Sequence, residues 1–236
     1  MKQNYSIAPQ SRIDVKDRFV EQVHSASLRA KPMPHAVMSP VFPAATYAHL
    51  TSALPKTDLY REARGAARFR RQCAQLTGQQ AERGDIFFTS QNANSKGLDP
   101  VWGELATWMQ SREIRDLLIE RFIPSALHPF DRNSYRTDLR LVRETGSVFI
   151  APHLDQPRKL LVIIIYFGSD LPSSAGTSLL EPTGQGRTFR EQGKVGFTPN
   201  TAFILPRTDT AWHGVNPQTL RENRDTLHLY IQRSDN

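Results

Sequence analysis

Ala151-Pro152-His153-Leu154-Asp155 sets an imidazole and a carboxylate two residues apart in a stretch with no helical pattern. Successive side chains of a strand point to opposite faces, so His153 and Asp155 can present a ring nitrogen and a carboxylate oxygen to one point. A third ligand has to come from elsewhere. His213, in Asp209-Thr210-Ala211-Trp212-His213-Gly214-Val215, follows the strand-like Thr201-Ala202-Phe203-Ile204-Leu205 and can supply it if that strand lies beside the first in a sheet. Two imidazoles and one carboxylate on one side of a metal leave the opposite positions open, the arrangement associated with non-haem Fe(II).

A third stretch, Arg224-Asp225-Thr226-Leu227-His228-Leu229-Tyr230-Ile231, alternates strictly. Arg224, Thr226, His228 and Tyr230 share one face, and Asp225, Leu227, Leu229 and Ile231 share the other. A barrel lumen with Arg and Thr at i and i+2 can bind a small carboxylate, because guanidinium offers a planar pair of donors and the hydroxyl adds one more.

These elements resemble the Fe(II)/2-oxoglutarate-dependent oxygenase superfamily, and within it the prolyl-4-hydroxylase-like branch. Its pattern is His-x-Asp, a strand ending in Tyr, a distal His, then Arg with Ser or Thr two residues on. His153 and Asp155 match the first element, Tyr166 in Val162-Ile163-Ile164-Ile165-Tyr166-Phe167 the second, His213 the third, and Arg224 with Thr226 the fourth. The likeness covers residues 136 to 233. It implies a mainly β fold with flanking α, a double-stranded β-helix (jelly roll) packed against N-terminal helices. It also implies His153, Asp155 and His213 as ligands of Fe(II), with Arg224, Thr226 and Tyr166 holding the far carboxylate of 2-oxoglutarate. Arg140 is a further candidate for the cosubstrate pocket, since the strand before His-x-Asp commonly lines it in the family. O2 completes the set of cosubstrates, with ascorbate as a stimulant. Because related halogenases carry Ala or Gly where Asp155 stands, hydroxylation or desaturation of a C–H bond is the expected outcome.

Length and composition bound the rest. A chain of 236 residues suits a single domain with a substantial core, here helix-rich over about 1–130 and jelly roll over about 136–233. The longest apolar run, 160–167, is too short to cross a bilayer, and the segment after Met1 has no apolar centre of a secretory signal. One cysteine, Cys73, suits a reducing cytoplasm and reads as a half-buried helix residue. The net charge of +7 favours anionic ligands. The densest basic group, Arg61, Arg64, Arg68, Arg70 and Arg71, has no interleaved aromatic residues and reads as a solvated helix face, not a nucleic-acid surface. The expected substrate is therefore a small molecule with an anionic group, such as an amino acid or natural-product intermediate. The alternatives are a peptidyl hydroxylase acting on Pro, Asn or Asp, and a non-catalytic cupin-like binding protein.

In chain order, the periodicity predicts helices over 13–28 (capped by Ser11), 44–54, 58–77, from Pro100, and from Ser111 to a stop at Pro124. Strand character starts at Thr137, the run 160–167 is a central strand, 177–182 is a short strand, and the last strand runs over 224–232. A polar loop after Thr89 is a candidate substrate wall. The glycine-rich, charged segment 183–196 has no period and reads as a mobile flap; residues 217–223 read as a turn.

Overall fold

The computed structural model describes residues 9–89, 97–125, 131–168, 171–184 and 188–234. The second half of the chain carries eight consecutive strands: β4 (Tyr135–Thr145), β5 (Ser147–His153), β6 (Lys159–Phe167), β7 (Thr177–Pro182), β8 (Phe189–Val195), β9 (Ala202–Pro206), β10 (His213–Thr219) and β11 (Arg224–Arg233). They wind back and forth between two sheets, with β7 and β8 adjacent in the same one. One has the order β9-β6-β11-β4 and the other β5-β10-β7-β8, which is the winding of a jelly roll. The larger sheet is extended by strands from the first half, β1 (Ala36–Met38) beside β9, and β3 (Glu82–Phe88) with β2 (Arg61–Glu62) beside β4.

Register decides which side chains enter the lumen, since a slip of one residue would exchange the two faces. β11 pairs with β4 without a slip from Arg224↔Glu144 to Arg233↔Tyr135, and with β6 from Asp225↔Phe167 to Ile231↔Leu161. The outer face therefore gathers Leu139, Leu141, Leu161, Ile163, Ile165, Leu227, Leu229 and Ile231, all fully buried. The helices α1 (Pro9–Ser25), α4 (Pro100–Met109) and α5 (Arg112–Phe122) cover it with Phe19, Val23, Trp102, Leu105, Leu118 and Phe122. The inner face gathers a second cluster, in which Val162, Ile164, Tyr166, Phe203 and Leu205 meet Val148, Leu179 and Val215 of the smaller sheet. Gly146 makes the β4–β5 turn at φ 73°, where any Cβ would collide with the Gln80 carbonyl.

The helices starting at Pro100 and Ser111 form as expected: the Asp99 carboxylate accepts from Val101 N, and the Ser111 hydroxyl from Ile114 N. Other expectations are corrected. The first helix starts at Pro9 and ends at Ser25, so Ser11 lies inside it, Pro being favourable in a first turn. The span 58–77 is not one helix. It holds a short 3-10 turn, β2, and α3 (Ala66–Thr77), which starts only after Gly65 takes φ 85°. The described part of segment 183–196 is mostly strand, not flap: β8 pairs with β7 from Thr177↔Val195 to Pro182↔Phe189, and residues 185–187 lie outside the described residues. On this edge strand only Val195 is buried, so no apolar alternation marks it. Residues 217–219 belong to β10, where the ladder is irregular between Val215 and Gln218 and asks no hydrogen bond of Pro217. Cys73 is fully buried, packed by α3 against β5. The polar loop after Thr89 lies largely outside the described residues. Among the described residues no helix is long and apolar enough to cross a membrane.

Candidate active site

β5 ends on His153 and β10 begins on His213, and the two residues face each other across the antiparallel ladder. Facing positions place side chains on the same side, so both imidazoles enter the lumen with ring centroids 4.2 Å apart. Gly214 permits this approach, since a Cβ there would stand 2.5 Å from the Ile150 carbonyl oxygen. Asp155 arrives two residues after His153, and its Oδ2 lies 3.6 Å from His213 Nε2. One ligand atom from each of the three lies within 4.8 Å of the others.

The hydrogen bonds orient all three groups. His153 Nδ1 donates to Ala151 O at 3.0 Å, and His213 Nδ1 to Ala211 O at 2.9 Å. With the proton on Nδ1, each ring turns an Nε2 lone pair to the common centre. Burial lowers the basicity of both rings: His153 is pushed down to about 4, with His213 adding to the effect, and His213 is likewise lowered. Burial alone would raise the Asp155 carboxyl. Lys159 and the neighbouring histidines outweigh it and hold that carboxyl below its ordinary range. Oδ1 accepts from Lys159 Nζ at 2.6 Å, whereas Oδ2 is buried with no hydrogen-bond partner. A buried carboxylate oxygen without a partner is costly, and a cation at the centre of the triad would satisfy it. Two neutral imidazoles and one carboxylate oxygen are a donor set that fits a divalent transition metal.

The triad opens on a cavity of about 170 Å³ lined also by Arg83, Lys159, Thr177, Arg224, His228 and Tyr230. Arg224 is 2 % exposed; its Nε donates to Ala175 O at 2.8 Å and its Nη1 to Glu144 Oε2 at 2.5 Å. Thr226 Oγ1 lies 2.9 Å from His228 Nε2, and His228 Nδ1 lies 2.7 Å from the Tyr230 hydroxyl, a chain of three alternate residues along β11. Tyr166 is fully buried on the inner face, but its hydroxyl meets Thr177 Oγ1 at 2.9 Å, and it is Thr177 that lines the cavity. Arg140 faces His228 across the ladder, yet its guanidinium lies over the Phe87 ring at 4.9 Å and 3.3 Å from Asp85, outside the cavity lining.

No family model matches the sequence, and no curated protein matches it. Solved structures do. A prolyl hydroxylase from Trichoplax adhaerens, in complex with a hypoxia inducible factor oxygen degradation domain peptide fragment, superposes at TM-score 0.56 and 12% identity, over 98% of this chain and 96% of that one. A Pseudomonas putida prolyl-4-hydroxylase gives 0.54 and 10% over 92% and 98%. A 2OG-Fe(II) oxygenase family oxidoreductase from Burkholderia pseudomallei gives 0.51 and 15% over 93% and 91%. The chain has the prolyl-4-hydroxylase fold.

Within that fold, four sequence-predicted residues, His153, Asp155, His213 and Arg224, line one cavity, while Thr226, Tyr166 and Arg140 sit behind or beside it. Sequence reasoning missed Arg83, Glu144, Lys159 and Thr177. His228 and Tyr230 were legible as lumen residues from the alternation of β11 but had no role attached. Lys159 could have been found from its spacing four residues after Asp155. Arg83 and Glu144 carry no such signal, because only strand pairing brings them together.

Proposed function

We propose that the chain is an Fe(II)- and 2-oxoglutarate-dependent dioxygenase that hydroxylates or desaturates a C–H bond of a small anionic molecule. The observation that carries this is the unpartnered Asp155 Oδ2, converging with two neutral, Nδ1-anchored histidines on a cavity that contains Arg224. His153 Nε2, His213 Nε2 and Asp155 Oδ2 would hold the metal. Lys159, bonded to Oδ1, orients the Asp155 carboxylate and leaves Oδ2 toward the histidines. When bound, Fe(II) supplies O2 activation coupled to conversion of 2-oxoglutarate to succinate and CO2. Arg224 takes the far carboxylate of the cosubstrate, Thr226 supporting it through His228 and Tyr166 through Thr177. Arg140 shapes the margin of the lumen by holding Phe87 and Asp85. The small cavity and the chain's net charge of +7 support a small anionic substrate. The fully buried Cys73 suits a reducing compartment such as the cytoplasm.

A second reading, a peptidyl hydroxylase, is favoured by the peptide held in the Trichoplax adhaerens structure. The experiment has two stages. Anaerobic addition of Fe(II) and 2-oxoglutarate should produce a visible charge-transfer band. Succinate release is then screened against a metabolite set and against peptides containing Pro, Asn and Asp. Succinate coupled to a metabolite supports the first reading, and coupling to a peptide selects the second. Absence of both the band and succinate leaves a cupin-like binding protein.

A further inference from the structure

Three neighbouring strands place charged residues in one row of the lumen. Arg83 on β3 faces Glu144 on β4, and Glu144 faces Arg224 on β11. Glu144 is fully buried; its Oε2 accepts from Arg224 Nη1 at 2.5 Å, and its Oε1, which has no hydrogen bond, forms an ion pair with Arg83 Nε at 3.3 Å. Neither Arg224 bond uses Nη2, and the contact to Arg83 uses only Nε. Both arginines line the same cavity as the histidines.

Charge decides what this row can bind. Arg224 and Glu144 alone form a neutral pair, so a ligand carboxylate arriving there would meet Glu144 with no surplus cation to offset it. Arg83 supplies the surplus. The trio carries one net positive charge, which one carboxylate would neutralise. Lys159 cannot supply it, because Asp155 already matches that ammonium at the other end of the site. The field of Arg83 reaches the cavity interior: after burial it is the next cause that lowers His228, with Arg224 following.

We propose that Arg83, contributed from outside the eight-stranded jelly roll, is a second anion-binding residue. With Arg224 it forms a two-arginine clamp, spaced by Glu144, for the far carboxylate of a 2-oxo diacid. The clamp rests on the 2-oxoglutarate reading of the site. Arg83 is the safer residue to replace, since its side chain is 25 % exposed.

The test is titration calorimetry with Mn(II) in place of Fe(II), using 2-oxoglutarate and 2-oxobutyrate, which lacks the second carboxylate. Arg83→Met should weaken 2-oxoglutarate by about tenfold or more while leaving 2-oxobutyrate unchanged. Arg83→Met/Glu144→Gln, which restores one net positive charge through Arg224 alone, should recover wild-type affinity to within about threefold. Wild-type binding with an undiminished Arg83→Met affinity overturns the clamp and spares the 2-oxoglutarate reading. Equal weakening of both acids also overturns it, by making Arg83 structural. Failure of the wild type to bind 2-oxoglutarate overturns the reading and the clamp together. Should Glu144→Gln not fold, the two-acid comparison in Arg83→Met decides alone.

Discussion

Two buried ion pairs sit one residue apart on the same two strands and face opposite ways. Arg143 and Asp225 meet on the helix-covered face of the large sheet; Glu144 and Arg224 meet in the lumen. The outer pair is answered by protein at each nitrogen of the Arg143 guanidinium. Arg143 makes a two-pronged contact to Asp225 at 2.7 and 3.0 Å, spends a further hydrogen on Pro55 O, and is covered by the Tyr60 ring at 4.7 Å. The inner pair opens on a cavity and adjoins a second arginine. A buried pair whose guanidinium nitrogens are all bonded to protein has its capacity spent on the fold. One with surplus charge facing a void has capacity left for a ligand.

The largest expected effect lies in the lumen: His213→Ala should abolish metal binding and turnover while circular dichroism shows the fold retained, and wild-type succinate release in that variant would end the assignment. Next, Arg143→Met should cost about 3 to 5 kcal/mol of unfolding free energy by leaving Asp225 buried and unpaired. Denaturant titration reads this, and the folded fraction should bind 2-oxoglutarate as the wild type does. Arg224→Leu should invert that outcome, weakening 2-oxoglutarate by about 2 to 4 kcal/mol. Its effect on stability should be smaller than that of Arg143→Met, since Glu144 keeps Arg83. Equal losses of stability in the two variants would erase the distinction between the faces.

Two smaller effects sharpen the picture. His228 is held neutral by burial and then by Arg83, Arg224, Lys159 and Arg140, well below its ordinary 6.5. The unfolded chain therefore takes up a proton that the folded one refuses, and stability should fall as pH drops below about 6.5, by up to about 1.4 kcal/mol per pH unit from this group. His228→Gln should make that slope shallower. Tyr166→Phe should cost only about 1 kcal/mol of stability, the worth of its bond to Thr177, with a small change in cosubstrate affinity. A loss there as large as that of Arg224→Leu would show that Tyr166 touches the cosubstrate itself.

Much of the fold was legible because alternation survives wherever one sheet face meets a core and the other a lumen. The run 224–231 sorted its residues correctly before any partner strand was known. β8 was illegible for the converse reason: as an exposed edge strand it buries little on either face, so its pairing with β7 leaves no trace in residue type. The break within 58–77 was missed because Gly65 inside a basic, helix-favouring segment gives little warning that the chain turns left-handed there.

The order of His153, Asp155, His213 and Arg224 in the chain sufficed to nominate a metal ligand set and an anion anchor, because side-chain chemistry and the two-residue repeat of a strand are local properties. Which protein groups share the cavity with them was decided by tertiary structure alone. Glu144 reaches Arg224 and Arg83 only through the registers of β4 with β11 and β3, and Asp155 is left with one free oxygen only because Lys159 takes the other. Charge balance in a buried site is a sum over neighbours from distant parts of the chain, and no single stretch contains it.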